Sequence, residues 1–586
     1  MTSQLLVLIL AAAVGQAPSD GKWLDSVPAE ADVVIRVRGV DAVSKDIVAM
    51  LKAMSPALAA QAEPALEMQV AKFRTQFGEQ AATQPFLTLI RGVPPEDPGQ
   101  PPFAIVVRAT NYEGVLKSAS GGKDPKIKKD PAGFDSYDGP EGKTWYAAKG
   151  AGTVAFGPDK ALIAGYVKPS GGLTRKPIPP ALRARFDSGD VGIYVNVNSL
   201  VGRYGERIAQ AKQGLLGAMD QAGQQMGNAA MMDMVKGFYA GAFDSLGQGD
   251  GIVVGLDFSA EGLAIDGDLK VKDGSAAAKA IADWKGGDAS GLARLPADAS
   301  YYVYLNLGAK AYSSLQMFGL RFLSAGGKPS PELEAAMKAQ ADLGRIETIG
   351  TSSIGTSMKT LNIVTVADPR KLLATSETML KAMKGGDNPL NFMKDIKVTP
   401  KAETYSGFTF TRVDMTLDLD KLGKLQPAGI QPGNPGDAGK AMAAMFGGDH
   451  ISSWYGIDEK QMIQVTAANW GEAKAQIDGY LKGGNKVGTS AGFRSVRDRL
   501  PKQAGVLALM SAQGFVRQMA KQLSMTMGEM KPGADMPEEP AMIGMSMSPI
   551  APAGYEFHLI VPSTVGPVFE KGMAPMLQNV RPPAPQ

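Results

Sequence analysis

Apolar and polar residues alternate along "IVVGLDFSAEGLAIDGDLKV" (252–271), and the alternation breaks at "SAEG". Period-two alternation on both sides of a glycine-bearing break predicts two strands folded into a hairpin. A matching stretch is "MIGMSMSPIAPAGYEFHLIV" (542–561). Another hairpin pattern carries a Trp-Tyr pair, in "KTWYAAKGAGTVAFGPDKALIAGYVK" (143–168) and in "SSWYGIDEKQMIQVTAANWGEAKAQIDGYLK" (452–482). A third pattern is a turn followed by an alternating strand and a polar break. It is plainest in "VPAEADVVIRVRG" (27–39) and "LPADASYYVYLNLG" (295–308), and weaker in "FDSGDVGIYVNVNSL" (186–200) and "LPKQAGVLALMSAQG" (500–514).

Between these strands, apolar steps of three and four predict helices over Asp41–Phe77, Ser199–Ala222, Ser330–Ala341 and Gln513–Met530. "SPELEAAMKAQ" has a good helix start: Ser330 can cap, Pro331 suits the first position, and Glu332 and Glu334 put negative charge in the first turn. The matched patterns occur in the same order in each half of the chain, which predicts a tandem duplication with its seam near "KGGDASG" (285–291). The expected class is α+β: antiparallel sheets with interspersed amphipathic helices, a first repeat over 18–290 and a second over 291–586.

The "LPADASYYVYLNL" opening, the Trp-Tyr strand pair and the Gly-rich hairpins resemble exported bacterial proteins known as domain of unknown function 3352, long members of which occur in planctomycetes. The resemblance spans most of the chain and rests on alternation and turn residues. It implies an envelope location and an α+β repeat fold, and it supplies no catalytic residue.

The N-terminus adds to that expectation. "LLVLILAAAV" (5–14) is an apolar run too short to span a bilayer, followed by small residues at Gly15 and Ala17. It reads as a signal peptide over 1–17, cleaved after Ala17, although no Lys or Arg precedes it. The expected destination is the periplasm or cell surface of a bacterium, with no transmembrane span in the mature chain. The 586 residues contain no cysteine, so no disulfide is available. Hydrophobic residues make up 44% and charged residues 20%, the balance of a folded chain. The 61 basic and 58 acidic residues nearly cancel, and no basic run favours nucleic acid. "KDPKIKKDP" (123–131) is interrupted by acids and proline and reads as a solvated loop.

Little in the chain looks catalytic. Of the two histidines, His450 follows "FGGD" and is expected in a loop, and His558 is expected within the strand "YEFHLIV". "GTSSIGTS" (350–357) lacks the spacing and following helix of a nucleophile elbow. Period two would put Asp414, Asp418 and Asp420 on one strand face, but no calcium-loop glycine or terminal glutamate accompanies them. "GQGDG" (247–251) and "GAGTVA" (150–155) lead into strands and read as hairpin turns. No catalytic, cofactor or metal-binding residue is assigned.

Seven methionines fall between 525 and 547. Val516, Met519, Leu523, Met527 and Met530 form one helical stripe, and Ile543, Met545 and Met547 share one strand face, where the first half has Val254, Leu256 and Phe258. Placement that follows the core period favours packing over a copper site. The alternative is an apolar groove bordered by Met231, Met234, Met519, Met527 and Met530, for a hydrophobic ligand or peptide. The leading functional expectation is a non-enzymatic envelope protein with a structural or binding role, whose partner is an apolar ligand or another envelope protein. The others are a carrier using that groove and a hydrolase with a site near His450.

Overall fold

The computed structural model describes residues 27–579, apart from 93–101, 169–184, 355–357, 383–392, 528–530 and 551–553, most of 226–246, 309–330 and 424–447, and a few single positions. The expected signal peptide therefore lies outside the described residues. So does Ser330. The chain divides into two compact units. The first comprises residues up to Gly205, Leu246–Lys272 and Glu556–Leu559; the second comprises Glu206–Ser245, Asp273–Tyr555 and Ile560 onward. The first unit's main stretch thus ends at Lys272, ahead of the seam expected at 285–291.

Strands of the first unit are β1 (Val33–Val37), β2 (Phe86–Ile90), β3 (Phe103–Arg108), β4 (Lys128–Lys129) and β5 (Asp135–Asp138). They continue as β6 (Thr144–Lys149), β7 (Thr153–Gly157), β8 (Val191–Val195), β9 (Gly249–Ser259) and β10 (Gly262–Val271). Antiparallel pairings order them β4-β5-β6-β7-β3-β2-β1-β8-β9-β10. Both faces are covered. Ala104 and Val106 of β3 pack with Leu162 and Ile163 of the helix Lys160–Val167. Ile105 and Val107 pack with Phe73 of the helix Pro56–Phe77 and with Val115 of the helix Tyr112–Ala119. A strand sandwiched this way needs apolar residues at successive positions, which is why "FAIVV" runs without alternation.

The single helix expected over 41–77 is two, Val40–Met54 and Pro56–Phe77. Ser55 between them is extended, at φ −159° and ψ 106°. Proline's ring crowds the residue before it out of the helical region. The break becomes a helix start, because Pro56 lacks a donor to waste and the Ser55 Oγ accepts from the Leu58 amide at 3.3 Å. The other expectations hold: helices cover Val197–Gln225, Pro331–Ala341 and Ala512–Met527.

In the second unit a two-residue pair, β11 (Gly287–Asp288) with β19 (Gln503–Ala504), stands apart from the main sheet. That sheet is built from β12 (Tyr301–Gly308), β13 (Arg345–Ile354), β14 (Met358–Val366), β15 (Met393–Tyr405) and β16 (Phe408–Leu417). It also contains β17 (His450–Ile457), β18 (Gln461–Ala467), β20 (Val506–Ser511) and β21 (Met542–Ile550). Antiparallel pairings order these β15-β16-β17-β18-β14-β13-β12-β20-β21. Strand β22 (Gly554–Pro562) supplies the first unit's 556–559 segment.

Position by position, the second order repeats the first. Trp145 and Trp454 fall in corresponding strands, β6 and β17, and Gly255 and Gly544 in β9 and β21. The tryptophans do not share a face. Trp145 packs with Val115 and Phe73, while Tyr146 packs on the side of the helix Lys160–Val167. In the second unit it is Tyr455 that packs with Leu372 of the helix Pro369–Ala382, and Trp454 lies 5.6 Å from Trp470, which opens the helix Trp470–Leu481. Matching the two Trp-Tyr pairs residue for residue is one position out of step. In a strand that moves a side chain to the opposite face.

Candidate functional site

A polar cluster in the first unit joins β10 to the 556–559 segment. Asp266 and Asp268 are two apart on β10, and Glu556 and His558 two apart on β22, so each pair occupies one face of its strand. The His558 Nδ1 lies 2.5 Å from Asp266, and its Nε2 lies 3.7 Å from Glu556. Arg185 completes the cluster, 3.2 Å from Asp268 and 3.7 Å from Glu556. Burial of the His558 ring opposes its charge, but the hydrogen bond it donates to Asp266 and the nearby Glu556 carboxylate outweigh that and push its pKa up to about 9. The His558 contact in turn holds the Glu556 carboxyl below its ordinary range, while burial pushes Asp268 up. A ring placed between two carboxylates in this way suits an ion-pair partner, and a protonated imidazole has no lone pair with which to take a proton. Backbone packing closes on the same spot: a Cβ on Gly267 would stand 2.0 Å from the Phe557 ring.

A second cluster surrounds Asp190, whose side chain is fully buried. It accepts from the Phe258 amide at 2.7 Å and pairs with Arg38 at 2.9 Å. Burial nevertheless pushes its pKa up to about 6. Asp32, also buried, accepts from the Gly92 amide and the Ser199 hydroxyl, each at 2.7 Å. These carboxylates bind backbone and cations of neighbouring strands and helices.

Several expectations are corrected by the local geometry. His450 is not in a loop; it opens β17, paired with Thr416 of β16, with its ring 71% exposed. Asp414, Asp418 and Asp420 do not share a strand face, because β16 ends at Leu417. Asp414 stays in the strand and binds Arg412 and Ser452, Asp418 accepts from the Lys421 amide at 3.1 Å, and Asp420 lies in the short helix Leu419–Gly423. "KDPKIKKDP" is not all loop, since Lys128–Lys129 forms β4. Of the two expected glycine turns one stands: Gly152, at φ +74°, turns the chain between β6 and β7, whereas "GQGDG" is no hairpin turn, because Gly247 and Gln248 are helical and Gly249–Gly251 already belong to β9.

On β21 the expected packing of Met545 fails. The buried positions are Met542, Gly544, Ser546 and Ser548, so Ile543, Met545 and Met547 share the opposite face, where Ile543 packs with Val516 and Val568 while Met545 is 50% exposed. Two serines turned inward, Ser548 bonding the Gln503 carbonyl at 3.3 Å, reverse the polarity that alternation alone implies. Of the five groove methionines, Met519 is half-buried on the helix Ala512–Met527, whose Val516 and Ala520 pack against Val565 and Val568. Met231, Met234, Met530 and the side chain of Met527 lie outside the described residues.

Two clefts open over the helices of the first unit. One, about 570 Å³, lies between Val40–Met54 and Pro56–Phe77 and is crossed by the Lys52–Glu63 and Arg74–Asp41 ion pairs. The other, about 1090 Å³, is bounded by Met68 and Lys72 of the helix Pro56–Phe77, by the 119–126 turn with Lys123 and Lys126, and by the 138–142 turn. Neither cleft was signalled by the sequence, which carries no motif at either. No protein-family model, curated protein or solved structure matches this chain. Among the described residues no helix is long and apolar enough to cross a membrane.

Proposed function

We propose that this chain is an exported protein of the bacterial envelope with a binding or structural role, built as a tandem duplication of one α+β repeat. The observation that supports the non-catalytic part is the placement of His558: its two ring nitrogens lie 2.5 Å from Asp266 and 3.7 Å from Glu556, the setting of an ion-pair partner. The second unit's strand order, which matches that of the first as far as β9, supports the duplication, as does the placement of Gly255 and Gly544 on the buried faces of corresponding strands. The apolar run at 5–14, with small residues before the expected cleavage site, supports export, in keeping with the resemblance to domain of unknown function 3352.

Fractionation of a bacterial host expressing the full chain tests this reading. The expected product is recovered outside the cytoplasm and begins at Pro18 by intact mass. A cytoplasmic product retaining residues 1–17 contradicts it. The carrier reading gains two clefts over the helices of the first unit as candidate sites.

A further inference from the structure

The larger cleft of the first unit has an unusual charge balance. Lys72 stands on one wall, and Lys123 and Lys126 on the turn opposite. All three are exposed and make no ion pair among the described residues. Of the two acidic residues lining the cleft, Asp124 is matched by Lys117 at 2.7 Å, which leaves Asp138 against three ammonium groups. Beside these cations Met68 is 50% exposed, on a helix whose other face is buried through Phe73 and Phe77. The buried Ser120 hydroxyl on the turn side has no hydrogen-bond partner. Uncompensated cations beside an exposed thioether fit a ligand carrying an anionic head and an apolar tail. An ammonium group attracts a carboxylate or phosphate as a point charge, and methionine adapts to irregular apolar shapes.

We propose that this cleft binds a single-chain anionic amphiphile, its head held by Lys72, Lys123 and Lys126 and its tail against Met68. The proposal rests on the binding reading above and supplies its ligand class. Its failure is separable: an exported chain that ignores amphiphiles loses this site and keeps its location.

The test is calorimetric titration of the full chain with dodecyl phosphate below its micelle concentration. Dodecyl maltoside (same tail, neutral head), inorganic phosphate (head alone) and a hexaglutamate peptide serve as comparisons. The expected result is one-to-one binding of dodecyl phosphate, weakened at least about tenfold in the combined Lys72→Met, Lys123→Met and Lys126→Met variant, since a factor of ten is about 1.4 kcal/mol and three charge contacts are lost. Binding should also fall between 0.05 M and 1 M salt, where the screening length drops to about 3 Å. Met68→Gln should weaken dodecyl phosphate while leaving inorganic phosphate unchanged. These positions are exposed, so the variants should keep the parent's circular dichroism and melting temperature.

Equal binding of dodecyl maltoside overturns the role of the lysines. Equal affinity for inorganic phosphate overturns the role of the tail. Tighter binding of hexaglutamate turns the cleft into a peptide site and overturns the proposal. No binding, or binding untouched by the triple variant, overturns it outright.

Discussion

Removing the imidazole of His558 would leave Asp266, Asp268 and Glu556 facing one cation, Arg185, where the native cluster has two. His558→Gln should therefore cost about 2 kcal/mol at pH 7, a figure that allows for the solvent reaching Asp266. The sign of the pH dependence follows from the direction of the shift. A histidine whose folded pKa is raised from 6.5 to about 9 contributes stability that is complete below 6.5 and lost as pH rises through 9. Urea denaturation at pH 6 and pH 9.5 should show that loss in the native protein and not in His558→Gln. The methionines of β21 offer a second contrast. Met545→Ser, at a site 50% exposed, should change stability by less than about 0.5 kcal/mol. Met542→Ala, at a site 1% exposed, should cost roughly 2 to 5 kcal/mol. That His558 sits in a strand was legible from "YEFHLIV". Its partner on β10 was not, because the two lie 292 residues apart and no local period connects them.

Helix starts show how far local chemistry reaches. Asp159 caps the helix Lys160–Val167 by accepting from the Ala161 and Leu162 amides at 2.8 and 3.0 Å, and it pairs with Arg91 at 2.9 Å. Asp159→Ala should cost about 1 to 3 kcal/mol by thermal melting, and Asp159→Asn clearly less, because the amide oxygen can still cap. Capping of this kind is readable, and the helices over 199–222 and 331–341 were placed correctly from their periods and start signals. The break at Ser55-Pro56 was equally available in the sequence, but the apolar period runs across it and masks it. Strand faces were harder. Trp145 and Tyr455 occupy the same side of corresponding strands, although the motifs invite the match of Trp145 with Trp454. Each sheet is covered on both sides, so either face accepts an aromatic ring and burial leaves no mark of a one-residue slip. The long outer strand β15 pairs only with β16 among the described residues. It carries Lys394, Lys397, Pro400 and Lys401, an irregular register between Thr399 and Glu403, and a positive φ at Lys401. Charge, proline and a bulge on an outer strand oppose pairing with another chain.

At the scale of the whole molecule, both units are made by the same antiparallel strand order. The α+β class and the sequence of hairpins followed from alternation and turn residues alone. The clefts did not, because one is assembled from two helix faces and the other from a helix face and turns, none of which carries a shared motif. The charged interior has one consistent use in the first unit: Asp32, Asp190 and the His558 cluster tie strands and helices together through backbone amides and ion pairs. The central claim is that His558 is held as a cation that ties β10 to the 556–559 segment. With two histidines in the chain, an NMR titration of the imidazole carbon-bound protons resolves both, and a His450→Gln variant assigns them. The His558 resonance should titrate near pH 9 in the folded protein. A value at or below 6.5 would mean a neutral imidazole at physiological pH, available as a base, and would contradict the account.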